Sequence, residues 1–321
     1  MSSAMTAARL VKPGRFDLVE IARPQPGPGE VRVALEGCGV CASNLPVWSG
    51  RPWFDYPLAP GELGHEGWGR VEAVGPDVDA SLIGRRVAMV SSRAYAEADI
   101  ASADDLIALP ESLRLAPLEP FGCAFNVADR ARLGAGRTVA VVGLGFIGLA
   151  VTRLACAAGC RVATVSSNPH ALSIAETMGA FPVSLQEDRH RVRDAVIGAL
   201  GGCDRVIECT GHQQPLDLAT DLIAEGGCLV IAGYHQDGPR YVDLQQWNWK
   251  GIDVVNAHER DRRRVRQGMR IAADALAADP WWVDTLITHT YPLTDISAAL
   301  KCADERPEDF VKAAVLTAVT A

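Results

Sequence analysis

At 321 residues, 48% of them hydrophobic, the chain is long enough for two domains sharing a hinge and needs no disulfides to stabilise its core. Its net charge of −8 argues against nucleic acid or an anionic membrane as a main partner. Nine cysteines scattered without a secreted-type framework read as reduced thiols, one of them a candidate metal ligand. Apolar runs such as Thr138 to Gly145 are too short to span a bilayer. Met1 to Leu10 lacks a charged region followed by an apolar stretch, so no secretory signal is expected and cytoplasm is the expected location.

Up to about Pro120 the chain is rich in Gly and Pro and broken into short apolar runs: Glu30 to Leu35, Gly69 to Val74 and Arg85 to Val90. Such runs bounded by turn residues predict a compact, partly closed β-domain. From Phe121 the rhythm becomes strand, helix, strand. Thr138 to Val142 predicts a buried strand, Ile147 to Ala158 a helix and Arg161 to Val165 a second strand; Asn168-Pro169 then supplies a helix cap. Cys203 to Cys209, Gly227 to Ala232 and Ile252 to Asn256 read as further strands, with helical spacing near Leu216 to Ala224. This alternation predicts a doubly wound parallel sheet covered on both faces. A helix follows from about Asp261 to Ala278, and its run Arg260, Arg262, Arg263, Arg264 and Arg266 reads as a solvated face. Leu286 to Leu293 and Phe310 to Thr317 return to short runs that could fold back on the first domain. The expected α/β organisation is therefore residues 1–120 with 281–321 as one domain, and 121–280 as a second.

Gly143-Leu144-Gly145-Phe146-Ile147-Gly148 lies between a predicted strand and helix. The glycines permit a tight turn, backbone approach to a pyrophosphate and close helix–strand packing, and the helix N-terminus offers N–H dipoles to the anion. The second strand ends at Ser166-Ser167-Asn168, where an NAD-specific site would carry Asp or Glu for the ribose. Small polar side chains leave room for a 2′-phosphate, so NADP is favoured over NAD, with His170 the nearest basic partner. Thr210, Gly211, Gly233 and Asn256 follow later strand ends, where cofactor contacts gather in such sheets.

Three segments of the first domain carry metal-binding chemistry: Cys41-Ala42-Ser43-Asn44, Gly64-His65-Glu66 and Glu119-Pro120. A thiolate, an imidazole and one or two carboxylates can hold Zn²⁺ tetrahedrally with one position open. Open zinc polarises a carbinol oxygen and lowers its pKa. Cys38 and Cys41 also form a C-x-x-C, but without a second such pair or a surrounding βαβ pattern neither a structural zinc site nor a redox pair is expected.

Over nearly its whole length the chain resembles the medium-chain dehydrogenase/reductase superfamily. Gly37 to Asn44 is similar to its catalytic-cysteine segment and Pro60 to Gly67, with Gly69, Val71 and Gly75, to its zinc-histidine signature. Glu119 to Asn126 resembles a metal-side segment of polyol dehydrogenases, and Gly143 to Gly148 follows where expected. The resemblance implies a GroES-like catalytic domain beside a Rossmann domain. It implies one catalytic zinc held by Cys41 and His65, with Glu66 and Glu119 as alternating or water-bridged carboxylates. Ser43 would relay the substrate proton, and Lys312 would reach the cofactor pyrophosphate. A homodimer or homotetramer is implied, as is a secondary alcohol, polyol, cyclitol or sugar as substrate. Trp48, Trp53, Phe54 and Phe125 are candidate pocket walls.

The chain departs from the family pattern in three places. Val71 to Leu118 holds no cysteine, so no structural zinc is expected. Asn44 stands where Asp usually orients the histidine, and Pro46 where some members place a relay histidine. Two alternatives stay open on sequence: a zinc-free quinone or enone reductase, and an NADP(H)-binding redox sensor without turnover.

Overall fold

The computed structural model describes residues 4–185 and 188–317. They fall into two units, Met1–Gly122 with Arg266–Ala321, and Cys123–Val265.

The first unit begins with the antiparallel pair β1 (Ala4–Lys12) and β2 (Arg15–Ala22), turned at Gly14, whose φ of +71° suits glycine. β3 (Glu30–Gly39) alternates as a half-buried strand should, with Val31, Val33 and Leu35 inward. After it come the short helix α1 (Leu45–Trp48) and strands β4 (Gly67–Val74), β5 (Arg86–Met89), β6 (Ala98–Ser102) and β7 (Leu106–Ala108). Helix α2 (Leu118–Ala131) then leads into the second unit.

There the strands and helices alternate: β8 (Thr138–Val142), α3 (Phe146–Ala157), β9 (Arg161–Ser166), α4 (Pro169–Thr177), β10 (Phe181–Ser184) and α5 (Arg189–Leu200). They continue with β11 (Cys203–Glu208), α6 (Gln213–Leu222), β12 (Ile223–Ile231), α7 (Leu244–Lys250) and β13 (Asp253–Asn256). All these strands pair in parallel, in the order β10-β9-β8-β11-β12-β13. That is the 3-2-1-4-5-6 order of the dinucleotide-binding fold. Ala140, Val142, Val206 and Leu229 on its strands pack against Val192 and Val196 of α5 and Leu218 and Leu222 of α6.

The chain returns through α8 (Arg262–Ala278), α9 (Trp281–Leu286), β14 (His289–Pro292), α10 (Ile296–Glu305) and β15 (Ala313–Leu316). β15 pairs with β3, completing a sheet ordered β14-β15-β3-β4-β5-β7, with β6 also on β3. The GroES-like and Rossmann-type architecture is thus the one the sequence implied.

The second boundary differs from the expected 280, because the units divide at Val265 and Arg266. The apolar face of α8, including Met269, Ala272 and Leu276, is buried. A Cβ on Gly122 would meet Met269 N at 2.8 Å, and Arg266 bonds Asp105 at 3.0 Å, so most of α8 belongs to the first unit. Arg260, Arg262, Arg263 and Arg264 are exposed, as a solvated face requires, while Arg266 is half-buried by its pairing. Among the described residues no helix is long and apolar enough to cross a membrane.

Candidate metal centre and dinucleotide site

Strand direction assembles the metal-candidate residues. β3 runs antiparallel to β4 and β15, so its C-terminal end lies beside their beginnings. Cys41 leaves the end of β3, His65 and Glu66 immediately precede β4, and Lys312 immediately precedes β15. Residues far apart in sequence therefore meet at one sheet end. Cys41, His65 and Glu66 present ligand atoms within 4.8 Å of one another.

His65 Nδ1–H donates to the carbonyl of Leu63 at 2.9 Å, which leaves Nε2 as the ring's ligand atom. Burial alone would lower its pKa, but the hydrogen bond to Cys41 and the charges of Cys41, Glu66 and Glu119 push it up to about 10. Ser43 Oγ donates to Cys41 Sγ at 3.2 Å. Glu119 occupies the first turn of α2, near enough for its charge to raise His65 and Lys312, but its carboxylate lies outside the close group of three.

Glu66 is 1% exposed and Lys312 5% exposed, yet both are charged-type side chains. They form an ion pair: Lys312 Nζ donates to Glu66 Oε1 at 2.9 Å and lies 2.8 Å from Oε2, and donates also to Val40 O at 3.0 Å. Burial would lower the lysine, but Glu66, Cys41 and Glu119 hold it above the ordinary lysine range. Lys312, read from sequence as a pyrophosphate contact, is thus engaged beside the metal-candidate residues. Gly39 makes room for this pair, since a Cβ there would sit 1.7 Å from Glu66 Oε2.

Asn44 is buried and donates to Tyr95 Oη at 2.8 Å and Leu63 O at 3.3 Å. Cys38 points into the first unit's core, where burial pushes its thiol well up, and pairs with no cysteine. Of the candidate pocket walls, Trp48 is buried in that core and stacks on Phe16 at 5.9 Å, Trp53 is exposed, and Phe54 and Phe125 are half-buried.

In the second unit the three glycines do different work. Gly143 has φ +94° and a Cβ there would lie 2.3 Å from Thr210. Gly145 caps α3 with open space where its side chain would be. Gly148 allows the helix to approach Gly143 O, which its Cβ would meet at 1.9 Å. Phe146 and Ile147 form the first turn of α3. Ser166 is buried and its Oγ accepts from Asn168 N at 3.1 Å; Asn168 Oδ1 caps α4 through Ala171 N at 3.0 Å. Ser167 is exposed, and His170 is half-buried in the first turn of α4.

Sequence reasoning did not anticipate Glu208. Fully buried at the end of β11, it accepts from Thr210 N at 2.6 Å and Gly211 N at 2.9 Å, and its other oxygen meets His235 Nε2 at 3.0 Å. Gly211 and Gly233 let the loops after β11 and β12 touch, since a Cβ on Gly233 would lie 2.2 Å from Gly211 N. Asn256 is exposed at the end of β13, its Oδ1 accepting from His258 N at 3.1 Å. A carboxylate closing the apolar run Val206-Ile207 was the available signal for Glu208.

Two family models match in tandem: residues 27–110 match the alcohol dehydrogenase GroES-like domain, and residues 147–274 the zinc-binding dehydrogenase domain. The chain belongs to the zinc-dependent medium-chain alcohol/polyol dehydrogenase superfamily. It is an NAD(P)-dependent oxidoreductase acting on CH–OH groups. Among curated relatives, this dehydrogenase is 28% identical to a putative D-xylulose reductase of Agrobacterium fabrum, over 89% of the chain and 90% of that protein. It is 26% identical to sorbitol dehydrogenase of Rattus norvegicus, over 91% and 90% of the two chains. Among solved structures it matches a putative zinc-binding dehydrogenase from Sinorhizobium meliloti bound to NADP, with TM-score 0.84, 25% identity, and 98% and 100% of the chains covered.

Proposed function

We propose that this dehydrogenase holds one catalytic zinc and oxidises a secondary alcohol of a polyol, cyclitol or sugar-type substrate, with NADP favoured over NAD. The observation that carries the reading is the convergence of Cys41, His65 and Glu66 within 4.8 Å at one sheet end. The donor set fits zinc: a thiolate, an imidazole whose Nδ1 is already committed to Leu63, and a carboxylate oxygen, Glu66 Oε2, with no aligned hydrogen-bond donor. Glu66, inside the close group, and Glu119, in the first turn of α2, are the alternating or water-bridged carboxylates. When bound, zinc supplies a Lewis acid for the carbinol oxygen and the nicotinamide accepts the hydride.

The protein's own groups do the rest. Ser43 Oγ, beside Cys41 Sγ, accepts the carbinol proton as its own proton moves on. Pro46 offers no titratable relay, so that proton leaves by another route, through water or the ribose hydroxyls. Lys312 and Glu66 keep the charge at the site balanced without opening it to solvent. Gly143, Gly145 and Gly148 shape the pyrophosphate turn, Phe146 and Ile147 supply N–H groups from the first turn of α3, and Ser166, Ser167, Asn168 and His170 form the ribose end. Thr210, Gly211, Gly233 and Asn256 line the strand ends towards the nicotinamide. An exposed apolar surface on the second unit supports self-association into a homodimer or homotetramer.

Elemental analysis of purified protein tests the reading. About one zinc per chain is expected, lost on chelation and in a Cys41→Ser/His65→Ala variant together with polyol-dependent cofactor reduction. Active wild type without metal would favour a zinc-free reductase; tight NADP(H) binding without turnover would favour a sensor; two zincs per chain would add a structural site. For the cofactor, Ser166→Asp retains an acceptor for Asn168 N and adds a negative charge, so preference should move towards NAD. An unchanged NADP/NAD ratio would remove that assignment.

A further inference from the structure

His65 is held from behind by a backbone carbonyl and not by a carboxylate. Leu63 O accepts from His65 Nδ1 at 2.9 Å and also from Asn44 Nδ2 at 3.3 Å. The second hydrogen of the same amide goes to Tyr95 Oη at 2.8 Å, and Tyr95 Oη donates to Gly39 O at 3.3 Å. Asn44 is 2% exposed and Tyr95 fully buried, so water does not compete for these bonds. Leu63 itself has φ +82°, in the left-handed region that a branched side chain avoids, and such a conformation persists only where surroundings over-determine it. The backbone on either side is tied down: Tyr95 N donates to Gly61 O at 3.2 Å, and Ala94 N to Gly64 O at 3.0 Å.

We propose that Asn44 and Tyr95 are positioning residues that lock the Leu63 carbonyl and so fix the ring angle and tautomer of His65 for metal binding. The proposal rests on the reading of Cys41 and His65 as metal ligands. An amide is the group this chain requires, because it donates twice, once to Leu63 O and once to Tyr95 Oη. A carboxylate at position 44 could do neither. It would also add an uncompensated negative charge inside a site that already holds Cys41, Glu66 and Glu119. The departure from Asp at position 44 is therefore matched by a different support for the histidine.

Cobalt(II) alone, titrated into purified metal-free protein against a competing chelator, tests this, with the thiolate-to-cobalt absorption band as the spectroscopic readout. Wild type is expected to bind one equivalent with that band. Asn44→Asp and the conservative Tyr95→Phe should each weaken cobalt binding by about tenfold and shift the band. Leu293→Ala, in the same core but outside this hydrogen-bond chain, should lower stability while leaving affinity and band unchanged. Equal affinities and bands in wild type, Tyr95→Phe and Asn44→Asp, or tighter binding by Asn44→Asp, overturn the positioning role and leave the metal centre standing. Absence of a thiolate band in wild type overturns the metal centre and the positioning role together. If Asn44→Asp fails to fold, Tyr95→Phe decides alone, since it changes one oxygen and keeps the ring.

Discussion

At the residue scale, the buried ion pair is the feature with the largest consequence. Replacing Lys312 by Met removes the counter-charge of a carboxylate that is 1% exposed. An unpaired buried charge of this kind costs about 3–5 kcal/mol, so urea unfolding should show a loss of that size, and adding Glu66→Gln should recover most of it. A loss below about 1 kcal/mol would show that water reaches Glu66. The folded-state pKa of Lys312 is raised, so its stabilisation is complete below the unfolded lysine value of about 10.4 and is lost as pH rises through the folded value. The gap between wild type and Lys312→Met should therefore persist through neutral pH and close only in the alkaline range. Gly39→Ala probes the same pair from the other side. Its Cβ would fall 1.7 Å from Glu66 Oε2, so the carboxylate must leave Lys312, and stability should drop by about 1–3 kcal/mol. An unaltered melting temperature would mean the strand end yields freely. Cys41, His65 and Glu66 were legible because local motifs carry them. The partnership of Lys312 with Glu66 was not, because antiparallel register alone joins residues 246 apart.

At the element scale, what could be read depended on how much of each element's pattern is local. Thr138–Val142 and the α3 turn were plain, since apolar runs and glycine spacing mark them. The helix α5 went unread although its signals were present: Asp188 caps its start, Gly201 closes it at φ +79°, and Val192, Val196 and Leu200 recur every fourth residue. Its four basic side chains, Arg189, His190, Arg191 and Arg193, diluted that period. The glycine turn gives a direct test. Gly148→Ala would push α3 away from Gly143 O, met at 1.9 Å, and NADPH binding followed by fluorescence should weaken by about tenfold or more. The approach to α8 gives another. Glu259 accepts from Asp261 N at 2.9 Å and Arg260 N at 2.9 Å, and pairs with Arg130 at 2.9 Å. These contacts, led by the bond from Asp261, lower its carboxyl to about 2. A depressed folded pKa gives stability that is present above the unfolded value of about 4.3 and lost as pH falls through the folded one. Glu259→Gln should therefore melt roughly 2 °C below wild type at neutral pH, with the difference vanishing between about pH 4 and 2. A difference constant with pH would assign the effect to packing.

At the scale of the whole molecule, several large apolar side chains of the second unit are exposed. Tyr241 is 87% exposed, Trp249 85%, Leu244 66% and Val254 43%. The last belongs to β13, which pairs with β12 on one side and forms the edge of its sheet among the described strands. An open strand edge, in a unit that also exposes large aromatic side chains, invites pairing with an identical edge, which a twofold axis makes self-complementary. Large apolar side chains at such a surface are the groups expected to dominate association. Light scattering coupled to size exclusion should thus find a dimer, or a tetramer containing it. Trp249→Ala combined with Val254→Lys should raise the dissociation constant by about a hundredfold, because an exposed aromatic anchor is lost and a charge is set on the strand edge. Both substituted side chains are exposed, so the monomer so produced should keep its fold and its NADPH affinity. A dimer indifferent to both changes would move the interface elsewhere on the chain. A wild type that stays monomeric at high concentration would require some other cover for Tyr241 and Trp249.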